Sequence, residues 1–147
     1  MTNIEALDWL MKLVKLFEGF KAKAYRCPAG IWTIGYGETL GIVQGMVWTE
    51  VYAAERLRIR LAQFMLGVLK RCPQLHLEPA GRLVGCTSLA YNIGVGAFGA
   101  SSVSRKTRDQ DFAAAARSFL LWNKAGGRVL AGLTARRQIE SKAYLSS

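Results

Sequence analysis

Residues 18–39, EGFKAKAYRCPAGIWTIGYGET, hold the chain's best-placed group for proton transfer. Glu18 is a lone carboxylate closing an apolar, helix-spaced run, and Gly19, Gly30, Gly35 and Gly37 punctuate the Tyr-, Trp-, Ile- and Thr-rich segment behind it. Glycine in such a run marks positive φ or a close backbone approach, which predicts tight turns between short strands. A carboxylate delivered by a helix end against a small twisted sheet can give or take a proton at a bound substrate. On the last turn of a helix it also faces the unfavourable end of the dipole, a local cost of the kind functional sites carry. Other chemistries are poorly supplied. Of the three cysteines, Cys27, Cys72 and Cys86, none sits in a CxxC spacing, and Cys72 and Cys86 read as buried free thiols made in a reducing compartment. The one histidine, His76, lies in the segment LHLEPA and reads as a surface residue. There is no His/Cys/Asp cluster with metal-ligand spacing and no phosphate-cradling loop, so neither metal nor cofactor is implied.

The elements that must position Glu18 can be read from caps and periodicity. Thr2 and Glu5 have the form of a capping box, and Ile4, Leu7, Met11, Val14 and Phe17 recur at helical steps until Gly19. Residues 25 to about 47 are expected to form short strands around a turn at Pro28-Ala29-Gly30. Thr49 then caps a helix to about Arg71. Its RLRIRL run alternates like a strand, but helix formers flank it, and Leu57, Leu61, Met65 and Val68 make one apolar stripe long enough to link two lobes. Pro79 suits the first position of a helix ending near residues 92–94. A short helix starts at Ser101 or Ser102, Asp111 caps another over residues 113–121, and the last runs from about 133 to 145. The expected class is α+β and mainly helical. It comprises one domain, residues 1–147, with a small β-containing lobe at about 19–60 and a helical lobe made of about 1–17 and 61–147.

Composition narrows the partners. With 147 residues and 51% hydrophobic side chains, the chain suits one compact domain and not a disordered segment. Twenty Lys and Arg against ten Asp and Glu give a net charge of +10, favouring an anionic partner: nucleic acid, membrane surface or acidic cell-wall polymer. No recognition-helix or RNA-platform signature supports nucleic acid. Residues 1–17 carry Glu5, Asp8, Lys12 and Lys15 within their apolar pattern, which argues against a signal peptide or an N-terminal membrane anchor. The longest uncharged run, residues 83–104, is broken by Asn92 and four glycines, which argues against a spanning helix.

The motif Glu18–x8–Cys27–x5–Thr33, followed by Ile34-Gly35-Tyr36-Gly37, resembles the catalytic stretch of phage-type lysozymes, the endolysins of glycoside hydrolase family 24. The resemblance continues at AYNIGVGAF (residues 90–98) and WNKAGGRVLAGLTARRQIESKAYL (residues 122–145). It implies a two-lobed lysozyme fold and hydrolysis of the β-1,4 bond between N-acetylmuramic acid and N-acetylglucosamine in peptidoglycan. Glu18 matches the family's general acid, which must protonate the bridging oxygen because a sugar alkoxide leaves poorly. Apolar neighbours such as Phe17, Phe20 and Trp32 would help such a carboxyl keep its proton. Cys27 stands where most relatives carry Asp, although Cys occurs in part of the family. Base for the attacking water, covalent nucleophile and weak electrostatic partner are all open to it, with Arg26 and Lys23 near enough in sequence to favour the thiolate. Thr33 matches a residue that orients water or substrate on the opposite face.

The resemblance also sets Asn92 in the cleft as a hydrogen-bond partner for an N-acetyl group, with Gly35 and Tyr36 on the substrate-binding side. It places Arg136 or Arg137 beside Glu18, without deciding between them. Glu38 departs from the family, where many relatives have His, and is expected to remove a structural ion pair. The implied protein is a monomer acting on the peptidoglycan glycan strand and the anionic envelope, made in the host bacterial cytoplasm and released through a holin pore. Two rivals carry different expectations: a lytic transglycosylase working with Glu18 alone, and a degenerate lysozyme fold that binds peptidoglycan without cutting it.

Overall fold

The computed structural model describes residues 3–146. The first helix, α1 (Asn3–Glu18), leads into an antiparallel pair, β1 (Lys21–Arg26) and β2 (Trp32–Gly35), and then into the long helix α2 (Glu50–Arg71). A 3₁₀ turn (Pro73–Leu77) precedes α3 (Ala80–Ile93), α4 (Val95–Ala100), α5 (Ser102–Arg108) and α6 (Phe112–Ser118). A second 3₁₀ turn (Phe119–Trp122), the small hairpin β3 (Lys124–Ala125) and β4 (Arg128–Val129), and α7 (Ala131–Leu145) complete the chain. The class is α+β and mainly helical, as expected.

Local chemistry sets most boundaries. The Thr49 side chain accepts from the Tyr52 amide at 3.1 Å and starts α2; Ser101 and Asp111 cap α5 and α6 in the same way. Pro79 is the N-cap of α3 and not its first helical residue. β1 begins at Lys21, four residues earlier than the sequence suggests, because its partners are both β2 and the chain at 46–48: Trp48 donates to the Ala22 carbonyl and Ala24 to that of Met46. Residues 36–48 are turns and irregular chain with two isolated bridge residues rather than strand. The short helix α4 was not expected; Gly94, Gly96 and Gly99 hide its signal from propensity. The Thr2 cap lies outside the described residues.

The core is one cluster running from α1 through α2 and α3 to α6 and α7, with Leu10, Val14, Leu61, Leu89, Phe98 and Phe119 fully buried. Each such side chain contributes roughly 1.5–3 kcal/mol of burial. The stripe on α2 falls where expected, on Leu57, Leu61, Met65 and Val68. On α1 it is rotated. Ala6, Leu10, Met11 and Val14 face the core while Ile4 is 65% exposed.

Two features matter for the site. α2 packs on β2 near its start, where Gly35 lies against Ala53 and Trp48. Farther along, the helix meets α4, where Gly67 lies against Val95. And α3 lies unusually close to α7. A Cβ at Gly85 would stand 2.6 Å from the Glu140 carbonyl, and one at Gly81 would overlap the Ala143 carbonyl. Two glycines one turn apart therefore let the α7 backbone rest directly on α3. Cys72 and Cys86 are buried free thiols, and burial pushes the Cys86 thiol well above its ordinary range. His76 is exposed and turns onto the Pro73 carbonyl.

Candidate active site

Glu18 is the last residue of α1, and the helix stops there because Gly19 takes φ +66° while its amide donates back to the Lys15 carbonyl at 3.0 Å. The carboxylate projects toward the tight turn that the Gly-Tyr-Gly segment makes. In that turn Ile34 and Glu38 exchange backbone hydrogen bonds at 2.9 Å, with Gly35 at φ +65° and Gly37 at φ +87°. Gly37 is the wall behind the acid. A Cβ there would lie 3.0 Å from Glu18 Oε2 and 3.1 Å from its Cδ. Gly37→Ala should therefore cut lytic activity about 10²-fold, the cost of a misplaced reacting group, beyond any loss of melting temperature from the strained φ. A folded alanine variant that clears cell walls at the native rate would remove Gly37 from this role.

Across from the turn, Arg136 Nη1 donates to Glu18 Oε1 at 3.0 Å, with side chains 8% and 23% exposed respectively. The guanidinium stacks over the Phe17 ring at 4.7 Å. Of the two arginines left open by sequence, Arg136 is the one on Glu18. Arg137 is fully buried and points elsewhere: Nη1 donates to Asn92 Oδ1 at 2.9 Å and to the Trp122 carbonyl at 3.2 Å.

Cys27 sits in the turn leaving β1, where its amide donates to the Ile31 carbonyl and Gly30 donates to its own carbonyl. Its thiol is drawn below the ordinary range, first by the backbone of Ile31, against the opposing effect of desolvation, and further by the backbone of Ala29 and the Thr33 hydroxyl. Thr33 is 5% exposed, and its Oγ1 donates to the Ile31 carbonyl at 2.9 Å. That hydroxyl has a single proton, so the carbonyl and a Cys27 thiolate compete for it. The carbonyl holds it in this structure.

Asn92 is exposed at the end of α3, and its side-chain oxygen is already committed to Arg137, so only its amide N–H₂ remains to meet a ligand. Gly35 and Tyr36 offer no side-chain surface to a ligand. Gly35 is packed under Trp48, and Tyr36 is 5% exposed with its hydroxyl donating to Glu50 at 3.1 Å. Glu38 corrects an expectation: the ion pair is not lost. Glu38 is 5% exposed and pairs with Arg60 at 3.1 Å and Arg56 at 3.4 Å. The arginines lie four apart on one face of α2, a spacing visible in the sequence.

Three further residues belong to the surroundings of Glu18 and were not singled out by sequence. Tyr25, on β1, has its hydroxyl pushed up by burial and then by the negative charges of Glu18 and Cys27. Tyr91, on α3, donates to the Tyr36 carbonyl at 2.7 Å and so ties α3 to the glycine turn, with burial pushing its hydroxyl up. Glu140, on α7, is fully buried between the arginines. Only Glu140 had a sequence signal, its place three and four residues after an arginine pair. A surface concavity of about 510 Å³, lined by Leu120, Gln138, Ser141 and Lys142 among others, shares no residue with this site. An acid working on a long polymer needs an open groove, not an enclosed pocket.

The phage lysozyme family model matches residues 15–140. The chain belongs to the phage lysozyme family. It is 37% identical to an endolysin of Acyrthosiphon pisum secondary endosymbiont phage 1 over 139 residues, covering 92% of this chain and 94% of that protein. The endolysin of Bacillus phage B103 is 35% identical over 140 residues, 92% of this chain but 52% of that protein, so this lysozyme spans about half its length. Among solved structures, the muramidase domain of SpmX from Asticaccaulis excentricus superposes with a TM-score of 0.84 at 29% identity, covering 95% of this chain and 96% of that chain. Membership makes this phage lysozyme a glycoside hydrolase, and the site residues described above, from Glu18 to Glu140, lie inside the matched region.

Proposed function

We propose that this lysozyme is a phage endolysin that hydrolyses the β-1,4 bond between N-acetylmuramic acid and N-acetylglucosamine, with Glu18 as general acid. The observation that carries this reading is the setting of Glu18: a lone carboxylate, 23% exposed, backed by Gly37 and held from one side by Arg136. Glu18 gives its proton to the bridging oxygen, the C1–oxygen bond breaks, and positive charge develops at C1 of the muramyl sugar. Cys27 stands in for the usual second carboxylate. Its thiolate takes a proton from the attacking water, whose oxygen bonds to C1, and Thr33 helps to orient that water. The exposed amide of Asn92 is suited to an N-acetyl carbonyl. The net charge of +10 suits an envelope rich in peptide carboxylates and phosphates.

Mass spectrometry of muropeptides released from purified cell walls tests the reading. Reducing ends are expected. Ends carrying 1,6-anhydromuramic acid would make the protein a lytic transglycosylase, and no release would make it a binder. Among the described residues no helix is long and apolar enough to cross a membrane. Release through a pore made by a separate holin is the matching route, so producing cells should be cut only after their membrane is opened with chloroform.

A further inference from the structure

Behind the site lies a buried group that the chemistry above does not use. Glu140 is fully buried on α7, and its carboxylate meets both arginines: Oε1 lies 2.6 Å from Arg137 Nε, while Oε2 accepts from Arg137 Nη2 at 3.2 Å and lies 3.5 Å from Arg136 Nε. Oε2 also accepts from the Ser88 hydroxyl on α3. The two arginines then diverge, Arg136 to Glu18 and Arg137 to Asn92. One carboxylate thus stands at the root of both side chains that reach the site.

We propose that Glu140 is the positioning residue of this site: without touching substrate it holds Arg136 on Glu18 and Arg137 on Asn92, and its charge offsets theirs so that Glu18 can carry a proton. The proposal rests on the assignment of Glu18 as the acid.

The local sequence makes the arrangement. Residues three and four apart share a helix face, so Arg136 and Arg137 both turn toward Glu140. On α3, Ser88 and Asn92 are likewise one turn apart, and the missing side chain of Gly85 brings the α7 backbone at Glu140 into contact with that face. Burying a carboxylate and two guanidiniums is costly, and a well-packed apolar substitute is often as stable or more so. Stability alone therefore gives little reason for the cluster. It is also incompletely satisfied, since Arg136 Nε and Nη2 are buried without a hydrogen-bond partner.

Charge counting gives the second half. With Glu18 ionised, Arg136 and Arg137 are balanced by Glu18 and Glu140; with Glu18 protonated, the cluster carries one net positive charge. Removing the Glu140 charge adds one more, so protonating Glu18 becomes harder and its proton is lost at lower pH. The other groups that feel the charge of Glu18 are Tyr25 from β1 and Tyr91 from α3, with Lys15 one turn back on α1. Facing Glu140 are Arg136 and Arg137 from its own helix, and Ser88 and Cys86 from α3. Burial pushes the carboxyl of Glu140 up, and Arg137, the Ser88 hydroxyl and Arg136 act against that shift.

The test uses the full chain as wild type, Glu140→Gln, Glu140→Asp, Ser88→Ala and Glu18→Gln. Each variant is assayed for kcat and KM on cell walls across pH and for arginine Nε–H resonances by NMR. Glu140→Gln should lower kcat about 10²-fold, move the alkaline limb of the pH–activity curve to lower pH, and shift the Arg136 and Arg137 resonances. Glu140→Asp should restore part of each. Ser88→Ala, which removes one of the hydrogen bonds to Glu140 Oε2 without changing either arginine, should move all three in the same direction by less. A folded Glu140→Gln with native rate and an unmoved alkaline limb overturns the proposal. If Glu140→Gln does not fold, an unmoved rate and limb in Ser88→Ala does the same. An active Glu18→Gln sinks the acid assignment instead. An inactive Glu18→Gln beside an unaltered Glu140→Gln sinks only the positioning role.

Discussion

Glu18→Gln should abolish lysis while the protein stays folded. The amide keeps the shape of the side chain, and its carbonyl can still accept from Arg136 Nη1, which now holds the carboxylate at 3.0 Å. What it lacks is a proton to transfer. Loss of a general acid costs about 10²- to 10⁴-fold in rate, a far larger effect than the change in stability. The Arg136–Glu18 pair is mostly buried, with side chains 8% and 23% exposed, and the amide oxygen keeps its hydrogen bond from Arg136. Turbidity clearance of purified walls, read beside a thermal melt, separates the two. Native clearance by the Gln variant would mean that another group protonates the leaving sugar.

The second large effect is at Cys27. Cys27→Asp should keep substantial activity, because Asp restores a carboxylate at the point where most of the family has one. Cys27→Ala should lose most of it, having neither charge, base nor nucleophile. Alkylation should inhibit the native enzyme and spare the Asp variant. Because the thiol is drawn below its ordinary range by the Ile31 and Ala29 backbone and by Thr33, the thiolate is populated at lower pH than in a free cysteine. The alkylation rate should therefore rise through a midpoint below the usual thiol value of about 8.5. Cys72 and Cys86, both buried, are internal controls that should react only on unfolding. The anomer released first distinguishes roles for the sulfur: inversion is expected for a thiolate that activates water, retention for one that bonds to C1. Full activity in Cys27→Ala would end any catalytic role for the residue.

Much of the molecule was legible because it is written locally. The caps at Thr49, Ser101 and Asp111 involve partners three residues away, and the stop of α1 at Gly19 needs only its own positive φ. The register of Glu18, Cys27 and Thr33 is equally local, spread over one helix end and one hairpin. Less was legible where periodicity fixes spacing but not phase. The α1 pattern predicted an apolar face, yet which residues lead it depended on where α2 and α3 pack, and Ile4 was left outside.

The amino-acid sequence by itself determined the fold class, the family and the candidate acid, since each rests on short-range patterns that no packing choice can rearrange. Only the tertiary structure decided which arginine meets that acid. Arg136 and Glu18 lie 118 residues apart in sequence. Adjacent residues on a helix point about 100° apart, so the choice between Arg136 and Arg137 turns on how α7 is seated against α3. The same holds for Glu38, which forms ion pairs with α2 because folding brings two arginines to it. It holds for Glu140, whose place between both arginines depends on the close approach that Gly81 and Gly85 allow. Such contacts form between distant segments, and a sequence read alone carries the groups but not the distances between them.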